Sequence, residues 1–416
     1  MSKKRLIVIG GGAAGFFCAV NSARLNPLLE VILLEKSGKL LSKVKVSGGG
    51  RCNITHACFD VAAMSRNYPR GAHFVRKSFH RFFTKETIDW FEQRGVGIKT
   101  EKDGRMFPRS DSSASVIDCL IKEAETHKVT IMNHAEVRNL SFSANRFSVT
   151  WFNHCPPQAG LVDIDADYVC VATGGYPKSS MFDWLRALGH KVEEPVPSLF
   201  TFNLPRHPIT ELTGISLENV RIKIKGSKLE QEGPLLITHW GFSGPAVLKL
   251  SAWGARELHR MNWEFEIIIN WLPGSNEMNL KTRFSKSRQE RGSQEIFNRN
   301  PFGLPQRIWQ FLLNSSGIAR HCRWAELPAK EQSILIKNLC QGEFSVRGKT
   351  TFREEFVTAG GVMLNEVDPN TMMSRLVSGL FFAGEVLNVD GITGGFNFQH
   401  AWTSGFIAAS SITSAG

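Results

Sequence analysis

The hydrophobic pattern opens with residues 4–10, KRLIVIG, an apolar run flanked by basic residues and ending in glycines. Next comes AAGFFCAVNSARL (13–25), helical in spacing with small residues in its first turn. A second apolar run, VILLEK (31–36), completes a strand–turn–helix–strand unit of about 30 residues, the size of a βαβ unit. Helical spacing recurs at 78–95 and 113–127, and strands are predicted over 129–152 and 161–171. DYVCVATGG (167–175) reads as a buried strand that runs into glycines. Beyond about 195 the texture changes, with prolines at 195, 197, 205 and 208. The alternating segments NVRIKIKG (219–226) and WEFEIIINWLP (263–273) then predict an antiparallel β unit. Residues 276–345 are polar and basic, with helical spacing at 308–317 and 330–340. Glycines return in TAGG (358–361), in the strand GLFFAGE (379–385) and in GITGGFNFQHAW, and a helix is expected from about Asn397. The predicted architecture is α/β: a Rossmann-like nucleotide-binding domain in two parts, 1–195 and 350–416. It is interrupted by a β unit, 196–275, and a basic helical unit, 276–349.

Composition narrows the class. With 416 residues, 42% hydrophobic and 21% charged, the chain has ample core for more than one domain. No apolar run approaches the roughly 18–20 residues of a membrane helix. The basic, then apolar N-terminus resembles a leader, but its run covers only Leu6 to Ile9, so a strand and a cytoplasmic location are expected. The eight cysteines are scattered without a C-x-x-C pair, which argues against a zinc cluster or a disulfide framework and fits a reducing compartment. The formal charge of +12 is high for a metabolic enzyme. It is concentrated: residues 276–325 hold nine Lys and Arg against three Glu, and residues 64–109 hold eleven against five acids. Such patches attract polyanions.

The chemistry starts at Gly10-Gly11-Gly12-Ala13-Ala14-Gly15, a G-x-G-x-x-G between a strand and a helix. Gly10 permits the tight turn, Gly12 admits a pyrophosphate to the backbone, and Gly15 lets helix pack on strand. The helix N-terminus then offers N–H groups and a positive dipole to the phosphates. Glu35 ends the second strand twenty residues past Gly15, where a carboxylate accepts from ribose hydroxyls and repels a 2′-phosphate. Lys36 and the Thr173-Gly174 turn are expected beside it. One complete fingerprint implies one permanently bound dinucleotide. The C-terminal FFAGEVLNVDGITGGFNFQHAW assigns that dinucleotide as FAD, because a helix N-terminus there stabilises charge on a reduced flavin ring. Gly394 and Gly395 let the backbone approach the ring, with Gly384, Phe396 and Asn397 nearby. Asp390 is expected at the ribityl or phosphate side, with Glu385 either a further cofactor contact or structural. The run SGGGRCNIT (47–55) reads as a loop whose Gly48, Gly49 and Gly50 also approach FAD.

The series GGGAAG, SGGGRCNIT, GRMFPRSDSSASVIDCL (104–120), VATGGYPKSS (171–180), THWGFSGPAVLKLS (238–251), TAGGV (358–362) and FAGEVLNVDGITGGFNFQHAWTSG (382–405) resembles the HI0933-like flavoprotein family over nearly the whole chain. The resemblance implies an FAD-binding Rossmann domain of glutathione-reductase type, interrupted by a β-barrel-like unit and a helical unit. It also implies an FAD-dependent oxidoreductase. One bacterial branch of the family is associated with reducing a uridine of 23S ribosomal RNA to dihydrouridine. His56 stands at an expected Asn, Asn388 at an expected Asp and Phe396 at an expected Tyr.

On that reading flavin N5 delivers hydride to uracil C6 and a general acid protonates C5. Cys52 is the first candidate for the acid, with His239, His56 and His400 as alternatives. Arg51 would hold phosphate or the uracil O4. NAD(P)H is the expected transient electron donor and no metal is expected. The RNA would be gripped by the basic segments 281–299 and 66–109, with Trp271, Phe284, Phe297, Phe302 and Trp309 either stacking bases or forming core. Two rivals remain at this point: a small-molecule flavin oxidoreductase acting on an amine or a conjugated alkene, and an RNA-binding flavoprotein without chemistry.

Overall fold

A computed structural model describes residues 3–157, 159–350 and 357–414. The chain divides into two compact units, residues 1–198 with 352–416, and residues 199–351.

The first unit is built on five parallel strands: β1 (Arg5–Ile9), β2 (Glu30–Leu34), β3 (Thr130–Met132), β4 (Tyr168–Val171) and β5 (Leu380–Phe382), ordered β5-β4-β1-β2-β3. All but the outermost are almost wholly apolar and buried, as strands covered on both faces must be. Helix α1 (Ala13–Leu25) follows β1, and the C-terminal helix α2 (Phe396–Ser414) lies against it. The approach depends on Gly405, where a Cβ would stand 2.6 Å from the Ala14 carbonyl oxygen. Phe17 of α1 joins Phe82, Trp90 and Trp402 in an aromatic cluster with centroid separations of 4.6–5.6 Å.

Two predicted elements divide. The spacing over 78–95 breaks into helices Ala72–Ser78 and Thr84–Glu92, because the Glu86 carboxylate takes the Phe83 N–H (2.9 Å) and starts a new helix. The run 129–152 supplies β3 and then a hairpin, Ala135–Ser143 with Arg146–Asn153. Its two-residue turn is Ala144-Asn145, both at positive φ (49° and 59°), the backbone of a tight hairpin. Gly160–Ala166 adds a third strand, so 161–171 also serves two sheets.

In the second unit seven strand segments take the order 342–347, 264–270, 216–224, 230–238, 241–243, 201–203, 349–350. The two edge segments are consecutive in the chain, separated only by Gly348 (φ 88°). One strand therefore pairs with Glu264–Asn270 by its first half and with Thr201–Asn203 by its second, which closes the sheet into a barrel. The segments separated by texture, 196–275 and 276–349, share one core: Phe202, Ile222 and Ile267 of the barrel cluster with Phe284, Trp309, Trp324 and Leu335. Trp271, Phe284, Phe297, Phe302 and Trp309 are all buried, at 8% exposure or less, so they are core and present no stacking surface.

Candidate active site

At the end of β1 the Gly10 N–H donates to Leu34 O (2.8 Å) and the chain turns at φ 115°. A Cβ at Gly10 would strike the Ala172 carbonyl, and one at Gly15 the Gly10 carbonyl, so both glycines are required by contact. Gly12 differs: nothing lies within 4 Å of its would-be Cβ, leaving an open cradle at the start of α1, where Ala14 is already enclosed. Glu35 Oε2 accepts the Gly11 N–H (2.8 Å), and Oε1 accepts from Ser37 N and Oγ (2.9 and 2.8 Å). The carboxylate is thereby fixed at the rim of a cleft of 350 Å³, whose lining includes Gly10, Lys36, Val137, Thr173, Tyr176 and Trp184. Gly174 (φ 72°) follows with open space at its Cβ position. An open glycine cradle at a helix N-terminus with an oriented carboxylate beside it fits the adenosine diphosphate half of FAD.

The loop 47–52 is a series of left-handed residues: Gly48, Gly49 and Gly50 at φ 59°, 69° and 83°, and then Cys52 at 62°. Gly49 and Gly50 have no neighbour within 4 Å of a Cβ position, so their backbone is open to a ligand. Cys52 is not. Its side chain is enclosed at 0% exposure, and burial pushes its thiol up to about 12, opposed only by a hydrogen bond with Ser47. An enclosed neutral thiol is a packing group, which removes Cys52 from the candidates for the proton donor. Arg51 turns away as well, lying over the Phe107 ring (4.0 Å) and pairing with Glu101 (2.6 Å) and Asp111 (3.6 Å). Its side chain is part-exposed and paired with these two carboxylates.

The C-terminal turn is bonded directly to this loop. The Asn53 amide, oriented with its oxygen toward the turn, accepts the Gly395 N–H (2.9 Å). His56 Nδ1 lies 3.0 Å from Gly394 O, and its ring stacks on Phe396 at 4.8 Å. The Tyr68 hydroxyl donates to Phe396 O (2.6 Å), and Asn397 closes the turn through two bonds with Gly391. Helix α2 is then tied down by buried polar contacts. Thr55 Oγ1 donates to Gln399 Oε1 (2.6 Å), Gln399 Nε2 to Thr87 Oγ1 (3.0 Å), Trp402 Nε1 to Ile54 O (3.0 Å) and Thr403 Oγ1 to Phe82 O (2.9 Å). Asn53, Tyr68 and Gln399 were not singled out in the sequence; the available signal for Asn53 was its place in SGGGRCN.

Asp390 is corrected. It is fully buried, held by Arg70 Nε and Nη2 and by the Ser198 hydroxyl (2.9 Å), so it is closed to a ribityl chain. Burial raises its pKa against the opposing pull of Arg70. Glu385 lies beside Gly175 and accepts from Thr358 N (2.8 Å) and Lys43 Nζ (2.6 Å), a pairing absent from the sequence reading. Gly384 (φ 75°) donates to Ser404 Oγ (2.9 Å) and receives His400 Nε2 at 3.3 Å. His400 is enclosed, and desolvation lowers its pKa to about 4. His239 belongs to the second unit, on an exposed turn edge-on to Trp240 (4.3 Å). Among the described residues no cluster of His, Cys, Asp and Glu could hold a metal, and no helix is long and apolar enough to cross a membrane.

Comparison with known proteins agrees with this geometry. The family model of the HI0933-like protein Rossmann domain matches residues 4–411. The chain is 29% identical to a 3-dehydro-bile acid delta(4,6)-reductase of Clostridium scindens, covering 97% of this chain and 98% of the relative. It is also 29% identical to the ribosomal RNA dihydrouridine synthase of Escherichia coli, covering 100% and 99%. In fold it is similar to the 3-ketosteroid delta1-dehydrogenase of Sterolibacterium denitrificans, at a TM-score of 0.53, 12% identity and 99% coverage of both chains. The 3-ketosteroid-delta4-(5alpha)-dehydrogenase of Rhodococcus jostii is similar at a TM-score of 0.51, 12% identity and 98% coverage of both. With the fingerprint, the fixed Glu35 and the paired glycine turns in place, the chain belongs to the HI0933-like family and is an FAD-dependent oxidoreductase of Rossmann type.

Proposed function

We propose that the protein reduces the C5=C6 bond of a uridine in 23S ribosomal RNA, giving dihydrouridine, with NAD(P)H as the electron source. Bound FAD supplies two-electron hydride chemistry. The protein's own residues would hold the cofactor at two places: Gly10–Gly15 with Glu35 at the adenosine end, and the Gly48–Gly50 and Gly394–Gly395 turns at the ring. Asn53 and His56 lock these two turns together, and His56 is the partly exposed imidazole held at their junction, which supports it for the proton added at C5. Uracil suits the chemistry because its C4 carbonyl polarises the C5=C6 bond.

The observation that carries an RNA substrate is the charge. The chain has a net charge of +12, and residues 64–109 hold eleven Lys and Arg against five acids. Polyanion binding gives such an excess a use, and the full-length E. coli relative named for this reaction supports the same reading. A reaction on ribosomal RNA also accords with the expected cytoplasmic location. The Clostridium relative favours a second reading, in which the alkene belongs to a small carbonyl-conjugated molecule such as a steroid enone.

The test is dihydrouridine mapping of 23S rRNA from a deletion strain, with and without this chain restored. A dihydrouridine that disappears on deletion and returns on rescue is the expected result. An unchanged map, with NADH-dependent turnover of an enone by the purified protein, would replace RNA by the small molecule.

A further inference from the structure

The basic residues differ in how far they are neutralised. Arg94 pairs with Glu123 (2.7 Å), Lys99 with Asp111 (2.5 Å) and Arg105 with Asp103 (2.7 Å), which consumes much of the excess over 94–109. In the second unit Arg221 pairs with Glu232 (2.9 Å) and Lys225 with Glu266 and Glu343 (2.8 and 2.7 Å). Arg283 and Arg288 there donate to main-chain carbonyls, so their charge serves the fold. Lys281, Arg299 and Arg320 of the second unit are exposed without an ion pair among the described residues, and one stretch of the first unit gathers such cations closely. Arg66, Arg76, Lys77, Arg81 and Lys85 are all exposed, and among the described residues none has an ion-pair partner.

Three of these cations share one face. In Ala72–Ser78 and the turn that follows, positions 73, 76, 77, 80 and 81 recur at helical spacing and are exposed, whereas Phe74, Val75, Ser78, Phe79 and Phe82 are buried. The exposed set is His73, Arg76, Lys77, His80 and Arg81, with no acid among them. The one carboxylate between residues 59 and 85, Asp60, caps the helix Val61–Ser65 by accepting from Ala63 N (2.6 Å). Beneath the face, Phe82 stacks on Phe406 (4.4 Å), its carbonyl accepts from Thr403, and Tyr68 holds the Phe396 carbonyl. The cationic layer is thus bonded to the helix that begins at the Gly394–Gly395 turn. Phe59, 63% exposed, follows Cys58, whose carbonyl accepts from Thr84 Oγ1 (2.9 Å) just beyond this face.

We infer that the His73–Arg81 face is a docking surface for the phosphodiester backbone of single-stranded RNA, with Phe59 as a base-stacking contact. This rests on the proposed RNA substrate and assigns where it is held. A helix that lies on a membrane keeps an apolar side outward for the lipid; in this helix Phe74 and Val75 are buried, and the outward residues are His73, Arg76 and Lys77. Phosphates fit unpaired Arg and Lys, and an exposed Phe offers a ring to an unstacked base.

The test uses the purified full-length holoprotein and a labelled uridine-rich RNA of about 20 nucleotides, with binding followed against salt. The variant Arg76→Ala/Lys77→Ala/Arg81→Ala is expected to bind roughly 10–100-fold more weakly at low salt, with the slope of log K on log salt reduced by about 2, for three lost phosphate contacts. Its FAD absorbance and NADH-dependent bleaching should match the wild type. A control variant, Lys281→Ala/Arg291→Ala/Arg299→Ala, should change affinity by less than about threefold. Equal binding by the first variant and the wild type overturns the assignment, as does a wild type that ignores RNA and binds phosphatidylglycerol vesicles instead. If RNA binding responds as expected but no dihydrouridine forms, the surface stands and the substrate reading fails. If dihydrouridine forms and the first variant binds normally, the surface fails alone.

Discussion

His400 is a histidine that folding keeps neutral. Its ring is enclosed in the first turns of α2, with Nε2 on Gly384 O and Nδ1 without a partner among the described residues. The folded pKa of about 4 lies below the unfolded 6.5. Above pH 6.5 neither state is protonated there, and the residue leaves stability unchanged. As pH falls toward 4 the unfolded chain takes up a proton that the folded one refuses, so stability falls with it. Between pH 7 and 5 the expected loss is about 2 kcal/mol. Urea unfolding at those two pH values should show His400→Gln losing less than the wild type by about that amount; parallel losses would count against it. Cys52 and Asp390 show why single residues misread from sequence. Cys52 was read as a candidate reagent and Asp390 as a cofactor contact, but enclosure decides their roles, and Asp390 is enclosed by an arginine 320 positions earlier. The fingerprint glycines were legible because the contacts that require them are made within one turn and its neighbouring strand.

At the scale of elements, the ring end of the proposed FAD site is a joint between two glycine turns. Asn53 spans it, and its loss leaves the buried Gly395 N–H without an acceptor, at about 1–3 kcal/mol. Asn53→Ala is therefore expected to weaken FAD binding by about tenfold or more, while the Gly10–Gly15 cradle stays intact. Dilution of the purified variant, read by release of flavin fluorescence, measures this; retention equal to the wild type would show that the turns do not depend on each other. The strand–turn–helix at the N-terminus and the C-terminal helix were legible from periodicity. The joint between them was not, because it is made of side-chain bonds between segments more than 300 residues apart. The divided helix at 79–83 was hidden because Phe79, Phe82 and Phe83 sustain the apolar spacing through the break.

At the scale of the molecule, sequence texture divided the insertion into a β part and a helical part, whereas the structure gives one body with a common core. Trp309 exemplifies the reason: it is fully buried and its Nε1 donates to Ile296 O (2.8 Å). Trp309→Ala should destabilise residues 199–351 by about 3–5 kcal/mol, without altering the RNA affinity of the folded protein at low temperature. A large drop in affinity with unchanged thermal unfolding would instead restore a stacking role. Charge was legible as two basic segments, but its neutralisation was not, since pairing is a property of the folded surface.

The strand that closes the barrel carries one further consequence. Thr201, near the start of the insertion, pairs with Thr350 at its end, so the polypeptide enters and leaves this body at adjacent positions, about 5 Å apart. One strand, 342–350, thus serves both ends of the sheet. A body with one doorway can be lengthened, shortened or exchanged in evolution while the host sheet β5-β4-β1-β2-β3 keeps its pairing. In such a lineage the cofactor-binding half can stay fixed while the inserted half changes.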